Sequence, residues 1–162
     1  MKIAKVRPVK TPERGTAKSA GLDFFVPDNF VEQVLPPRRD ILIPSGIKAN
    51  VLEGYMLMAA DKSGVVTSKS AAIQAGRTPK AGAYDSIIIL GAKIVDEDYQ
   101  GEIHIHLVNV GNEYVTIKPG TKIAQFILVP VSYDDVEVVP ESELFSEVSD
   151  RGDGGFGSTD KK

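Results

Sequence analysis

"GAKIVDEDYQGEIHIHLVN", residues 91–109, is the stretch on which the fold turns. An apolar run enters three acids, Asp96, Glu97 and Asp98, bends through Tyr99-Gln100-Gly101, and leaves as an alternating segment. There Ile103, Ile105 and Leu107 fall on one face and His104, His106 and Val108 on the other, the period of a half-buried strand. The pattern predicts a β-hairpin with acids and one aromatic ring at its mouth. On pattern alone, the plainer reading of such a mouth is a solvated acidic turn. The two histidines share a face, as a metal-binding pair in a jelly roll does. The next glutamate, Glu113, is seven residues past His106, however, so the third ligand of such a site is missing from its place. They read as surface histidines.

Outward from this stretch the chain repeats the same theme. "KIAKVRP" (2–8), "DILIPSGIKANV" (40–51), "GYMLMAA" (54–60), "SIIILGAKIV" (86–95), "YVTIKPGTKIAQFILVPV" (114–131) and "DVEVVP" (135–140) are rich in Ile and Val at strand length. Pro119-Gly120 suits a type II turn between two of them. Only "SKSAAIQAG" (68–76) reads as helix, with Ser70 as cap and Gly76 as stop. Many short strands and almost no helix predict an all-β sandwich, jelly roll or barrel. The 162 residues, 42% hydrophobic and 25% charged, suffice for one domain with a single sizeable core. Composition shifts only after about Val148, where a glycine-rich tail begins.

Charge narrows the partners. A net charge of −3 argues against field-driven binding to nucleic acid or an anionic membrane. Any bound anion is therefore held by local donors or a metal ion. The absence of cysteine excludes disulfides and thiol chemistry. "MKIAKVRPVK" lacks the apolar core of a signal peptide, and no run approaches the ~18 apolar residues of a membrane span. A cytoplasmic protein is expected.

Three further segments carry chemistry. In "AADKSGVVTSKS" (59–70), Lys62, Ser63 and Gly64 offer a charge, a hydroxyl and a closely approachable backbone, a combination that can hold a phosphate. In "SAGLDFFVP" (19–27), Asp23 sits between apolar residues near a turn, and its plain reading is a turn residue bonding its own backbone. The tail "RGDGGFGSTD" (151–160) can turn several N–H groups inward, with Ser158 and Thr159 adding hydroxyls. It lacks the lysine of a Walker loop and no strand-to-helix context follows. Composition alone makes it a flexible tail, yet Phe156 among glycines suits stacking on a planar ligand.

Taken in order, these segments resemble the homotrimeric dUTPase family: "AGLDFF" (20–25), "DKSGVV" (61–66), "GAKIVDEDYQGEI" (91–103), "GTKIAQFILVPV" (120–131) and "RGDGGFGST" (151–159). The resemblance covers residues 1–160 or so. It implies a jelly-roll-like β-barrel over residues 1–148 and an arm, 149–162, that closes over a neighbouring active site. It implies a three-fold trimer with shared sites, dUTP as substrate and Mg²⁺ as cofactor, and no nucleic-acid or membrane partner. The implied reaction yields dUMP and pyrophosphate, limiting uracil in DNA and supplying dUMP for dTMP synthesis.

Residue by residue, the resemblance makes Asp96 the base for water attack on the α-phosphorus and Asp23 an indirect magnesium residue acting through water. Lys62, Ser63, Gly64 and Gln125 fall to the phosphate chain, Gly91 to substrate binding, and Tyr99 to the deoxyribose. Arg151, Phe156, Gly157, Ser158 and Thr159 form the lid over base and distal phosphates. The chain departs from the family pattern at Leu22, at Lys62, at Val65-Val66 and at Asp160. Lysine in place of arginine at 62 keeps charge but loses the planar fork. "AAIQAGRTPKAGAYD" (71–85) reads as a surface-loop insertion, or as a site for a protein partner. Two alternatives stand beside this reading: a dCTP deaminase-like enzyme of the same fold, which lacks such an arm, and a non-catalytic dUTP-sensing module.

Overall fold

The computed structural model describes residues 1–66 and 87–154. The helix expected at 68–76, the insertion at 71–85 and the lid residues Phe156, Gly157, Ser158 and Thr159 lie outside the described residues. The chain divides into two units, Met1–Ser132 and Tyr133–Lys162.

All the described strands belong to the first unit. One sheet orders β2 (Gly21–Phe25), β11 (Lys122–Pro130), β6 (Tyr55–Ala60) and β8 (Ile94–Val95) side by side, every pair antiparallel. A second orders β4 (Asp40–Pro44), β9 (His104–Asn109) and β7 (Ile88–Leu90). Two ribbons complete the unit: β1 (Lys2–Lys5) with β5 (Ile47–Asn50), and β10 (Val115–Ile117) with β3 (Gln33–Leu35). This is the expected all-β, jelly-roll-like fold. Among the described residues, no helix is long and apolar enough to cross a membrane.

The core follows from the alternation. Ile105 and Leu107 of β9, Leu57 and Ala59 of β6, and Phe126 of β11 are buried. Phe24 and Phe126 pack with ring centroids 4.4 Å apart and planes tilted by 44°. Each such ring contributes about 1.5–3 kcal/mol by leaving water. Asn109 is wholly buried but fully bonded, its Nδ2 donating to the carbonyls of Leu35 (3.2 Å) and Glu113 (2.8 Å).

Two expectations are corrected. The stretch 91–109 is not a hairpin of two mutually paired strands. Pairing with β9 runs through β7 and ends at Gly91, whose N–H reaches the His106 carbonyl at 2.9 Å. The chain then crosses to the other sheet, where the Lys93 carbonyl accepts from Ala59 N–H at 2.7 Å and β8 pairs with β6. Gly91 and Ala92 offer too little side chain to hold the segment against one face, so it changes layers there. Residues 135–140 form no strand either: Val136 and Val138 are 91% and 93% exposed, and the second unit holds no partner strand among its described residues. Alternation without a ladder leaves backbone groups to water.

Candidate active site

The strand order brings the first, second and fourth motifs to one place. On β11, Gln125 lies opposite Asp23 of β2 on one side and Ala60 of β6 on the other. Its side-chain amide donates to the Asp61 carbonyl at 3.1 Å. Asp23 is 5% exposed, and both its oxygens are taken. Lys62 Nζ donates to Oδ1 at 2.9 Å, and Lys122 Nζ lies 2.8 Å from Oδ2. Burial pushes the Asp23 carboxyl up, but the hydrogen bonds from Lys122 and Lys62 outweigh it and hold the group below its ordinary value. The same contact, led by its hydrogen bond, raises Lys122. Two ammoniums share one buried carboxylate.

Ser63 opens a single helical turn, α1 (Ser63–Val66), in which the Val65 and Val66 amides return to the Lys62 carbonyl at 2.8 and 3.0 Å. Val65 is buried and fastens the turn to the core. A Cβ placed on Gly64 would meet nothing within 4 Å, so the backbone there stands open. Asp61 ties this loop to the third motif: Oδ1 accepts the Leu90 N–H at 2.6 Å, and Oδ2 lies 3.4 Å from Lys93 Nζ. Neither Asp61 nor Lys122 emerges from the sequence, because each finds its partners only through strand pairing across the sheet.

Asp96 is elsewhere. Val95 pairs with Leu57, so Asp96 leaves the sheet toward the Met56 end of β6, while Asp61 and Ser63 follow its Ala60 end. At ~3.3 Å per residue, Met56 to Ala60 spans ~13 Å, before the three residues that lead on to Ser63. A single chain therefore brings Asp23, Lys62, Ser63, Gly64 and Gln125 together, and keeps Asp96 and Tyr99 apart from them.

At this tip the turn is held by its neighbours. The Asp96 carbonyl accepts the Tyr99 N–H at 3.3 Å, and Glu97 Oε2 accepts the Gly54 N–H at 2.6 Å. The exposed Asp96 side chain makes no hydrogen bond or ion pair among the described residues. Tyr99 is 43% exposed, with its hydroxyl donating to the Glu102 carbonyl at 2.9 Å. Glu97, Tyr99 and Gln100 also border a groove of about 430 Å³ against β1 and β5, a volume usual for small-ligand sites.

Gly91 stands where the chain changes layers. The His106 ring lies against it so closely that any Cβ at 91 would collide with Nδ1. That nitrogen accepts the Ala92 N–H at 3.1 Å, and Nε2 meets Asp40 Oδ2 at 3.0 Å, which assigns the ring proton to Nε2. His106 is thus a structural clasp and not a loose surface side chain. His104 is exposed, its Nδ1 2.9 Å from the Glu102 carbonyl. Among the described residues, no three His, Cys, Asp or Glu side chains are grouped to hold a metal ion.

In the second unit, Arg151 closes a small turn with its Nε on the Gly154 carbonyl at 2.8 Å. Gly152 adopts φ 53°, the left-handed region that this bend needs.

Comparison with known proteins gives a consistent result. The family model described as dUTPase matches residues 7–160. A deoxyuridine 5'-triphosphate nucleotidohydrolase of Fusobacterium nucleatum is 34% identical over 162 residues, covering 99% of this chain and 97% of that protein. The protein of the same name from Hydrogenobaculum is 34% identical over 151 residues, covering 93% and 90%. Among solved structures, a Staphylococcus bacteriophage 80alpha dUTPase with dUpNHpp superposes with TM-score 0.75 at 22% identity, covering 98% of this chain and 96% of that one. A dUTPase of S. aureus phage phi11, described with a structural Mg(II) ion, gives TM-score 0.68 at 19% identity over 88% and 98%. These two likenesses show the fold.

Proposed function

The chain belongs to the dUTPase family and hydrolyses dUTP to dUMP and pyrophosphate, and from that premise we propose that each active site is assembled from more than one copy of the chain. The observation that carries this is the separation along β6: Asp96 leaves at one end, and the Ser63 loop with its lysines leaves at the other. A neighbouring copy that presents its tip to that loop joins the two halves, as the three-fold trimer implied by the family resemblance would do.

In the joined site, Asp96 receives the proton of a water whose oxygen bonds to the α-phosphorus. The bond from that phosphorus to its bridging oxygen breaks, and pyrophosphate departs with the electron pair. A well-placed base of this kind contributes about 10²–10⁴ in rate. Its carboxylate is suited to the task because no neighbour among the described residues competes for it. The rest of the barrier falls to alignment and charge neutralisation. Lys62, Lys122, Ser63, Gly64 and Gln125 supply these from the sheet end.

Mg²⁺ is the cation the resemblance implies; when bound, it adds charge neutralisation at the phosphate oxygens, which with water are its usual ligands. Asp23 is the residue the resemblance implies for supporting that ion's waters; each of its oxygens accepts from one ammonium, Lys62 on Oδ1 and Lys122 on Oδ2, and keeps a second lone pair for a water. It also holds the two ammoniums beside the phosphate chain.

Tyr99 packs against the deoxyribose and leaves no room for a 2'-hydroxyl. Backbone groups of the segment around Gly91, splayed between two sheets, read the uracil edge, which penalises cytosine by unpaired donors and acceptors. The arm closes as a lid, with Arg151, Gly157, Ser158 and Thr159 on the distal phosphates and Phe156 on the base.

Subunit complementation tests the shared site. Asp96→Asn and Ser63→Ala chains are each expected to be nearly inactive. Refolded together in equal amounts, they restore activity, with about a quarter of the sites intact if two copies build each one. No recovery in verified mixed oligomers means that one copy builds the whole site.

A further inference from the structure

Glu102 lies just past the tip and makes more contacts than a turn residue needs. Its carboxylate takes both arms of the Arg7 fork, Nε to Oε1 at 2.8 Å and an Nη to Oε2 at 3.1 Å. The Gly46 N–H also reaches Oε1, at 2.8 Å. Its backbone carbonyl meanwhile receives the Tyr99 hydroxyl at 2.9 Å. Tyr99 is folded back over Gly101 so tightly that a Cβ there would collide with its hydroxyl end. The ring is therefore located by its packing on Gly101 and by one carbonyl, and that carbonyl belongs to a residue clamped to two distant segments.

These segments brace each other as well. Gly46 adopts φ 74°, and its carbonyl accepts the Val6 N–H at 2.8 Å, one residue before Arg7. Arg7, Gly46 and Glu102 close a small cycle through three separate parts of the chain, the longest step spanning 95 residues. Bidentate pairing fixes angle as well as distance, which a single contact does not.

We propose that the Arg7–Glu102 pair sets sugar discrimination: it positions the Tyr99 ring at the height from which the ring excludes a 2'-hydroxyl, although Arg7 itself touches no substrate. This rests on the assignment of Tyr99 to the deoxyribose. Burial pushes the Glu102 carboxyl up, but the Arg7 hydrogen bond and the Gly46 N–H carry it below its ordinary value, so the clamp is charged at working pH. A ring freed by a fraction of an ångström still packs on deoxyribose, but it no longer bars ribose as firmly. Arg7 thus acts as a positioning residue through Glu102.

The test compares kcat/KM for dUTP and UTP in the full-length enzyme and in Arg7→Met, Arg7→Lys, Glu102→Gln and Tyr99→Leu. Arg7→Met and Glu102→Gln are expected to lower the dUTP-to-UTP ratio about tenfold or more, while kcat on dUTP stays within about threefold. Arg7→Lys recovers part of the ratio, because an ammonium keeps the charge without the two parallel bonds. A ratio that falls in Tyr99→Leu but holds in both Arg7→Met and Glu102→Gln overturns the proposal and leaves the Tyr99 assignment standing. A ratio unmoved by Tyr99→Leu overturns that assignment and the proposal with it. Equal losses on dUTP and UTP make the pair merely structural, which also overturns it. Glu102→Gln, with its shape retained, decides the matter if Arg7→Met does not fold.

Discussion

The two ends of β6 are built on opposite plans. At the Ala60 end, Asp23, Lys62, Lys122, Gln125 and Asp61 are bonded to one another through a sheet, and the central carboxylate is buried. At the Met56 end, Asp96 extends from a turn in which three neighbours carry bonds: Glu97 on Gly54, Tyr99 on Glu102, Glu102 on Arg7. The first end fixes charge by strand register, and its charged side chains are committed to one another. The second leaves two exposed carboxylates, Asp96 and Asp98, uncommitted among the described residues, while Glu97, Tyr99 and Glu102 are committed. On the proposed function, proton uptake falls to the second end and polyanion binding to the first.

Mutation at the tip should separate activity from stability most widely. Asp96→Asn is expected to lower kcat on dUTP by about 10²–10⁴ while thermal stability and dUTP binding stay near those of the parent. Near-parental turnover would remove Asp96 from the role of base. At the sheet end the order reverses. Asp23→Asn leaves two ammoniums facing a neutral amide, and denaturant titration should show a loss of about 2 kcal/mol, under the 3–5 kcal/mol of a fully buried broken pair because both lysines are about one-third exposed. An unchanged midpoint would mean that the sheet end is no more committed than the tip.

The smallest effect is the most diagnostic of sign. Asp23 and Glu102 both lie below their ordinary values when folded. Each therefore contributes stability that is complete above the usual carboxylate range near ~4 and drains away as pH falls through the depressed folded value. Lys122 works in the other direction, contributing below its ordinary value and losing that contribution only as pH rises through its raised one. Denaturation at stepped pH should thus give an acid limb, and the limb should flatten in Asp23→Asn. A limb of unchanged slope in that variant would assign the acid sensitivity to other groups.

Much of this was legible in the chain itself, and what was not has a common cause. The faces of β9 are legible because water touches one side and the core the other, so buried Ile105 and Leu107 alternate with His104, His106 and Val108, which are exposed or half-buried. β2 was missed because burial runs along nearly all of Gly21–Phe25, which erases the alternation and made Asp23 look like a turn residue. The "KIVD" run promised a hairpin partner in β9 but found β6 instead, a choice that only the assembled layers make. Lys122, Asp61 and Arg7 share this origin. Their partners lie 99, 29 and 95 positions away along the chain, beyond any local period. Local pattern named the candidate groups, and tertiary pairing supplied the residues that hold them.

The layer change at Gly91–Lys93 has a mechanical consequence. One short run of backbone is laced into both sheets, to His106 on one side and to Ala59 on the other. It acts as a seam, so neither sheet can peel back without tearing the other. Amide protons on β6 and β9 are accordingly expected to exchange with solvent as one cooperative block, and separate exchange regimes for the two strands would show that the seam does not couple them.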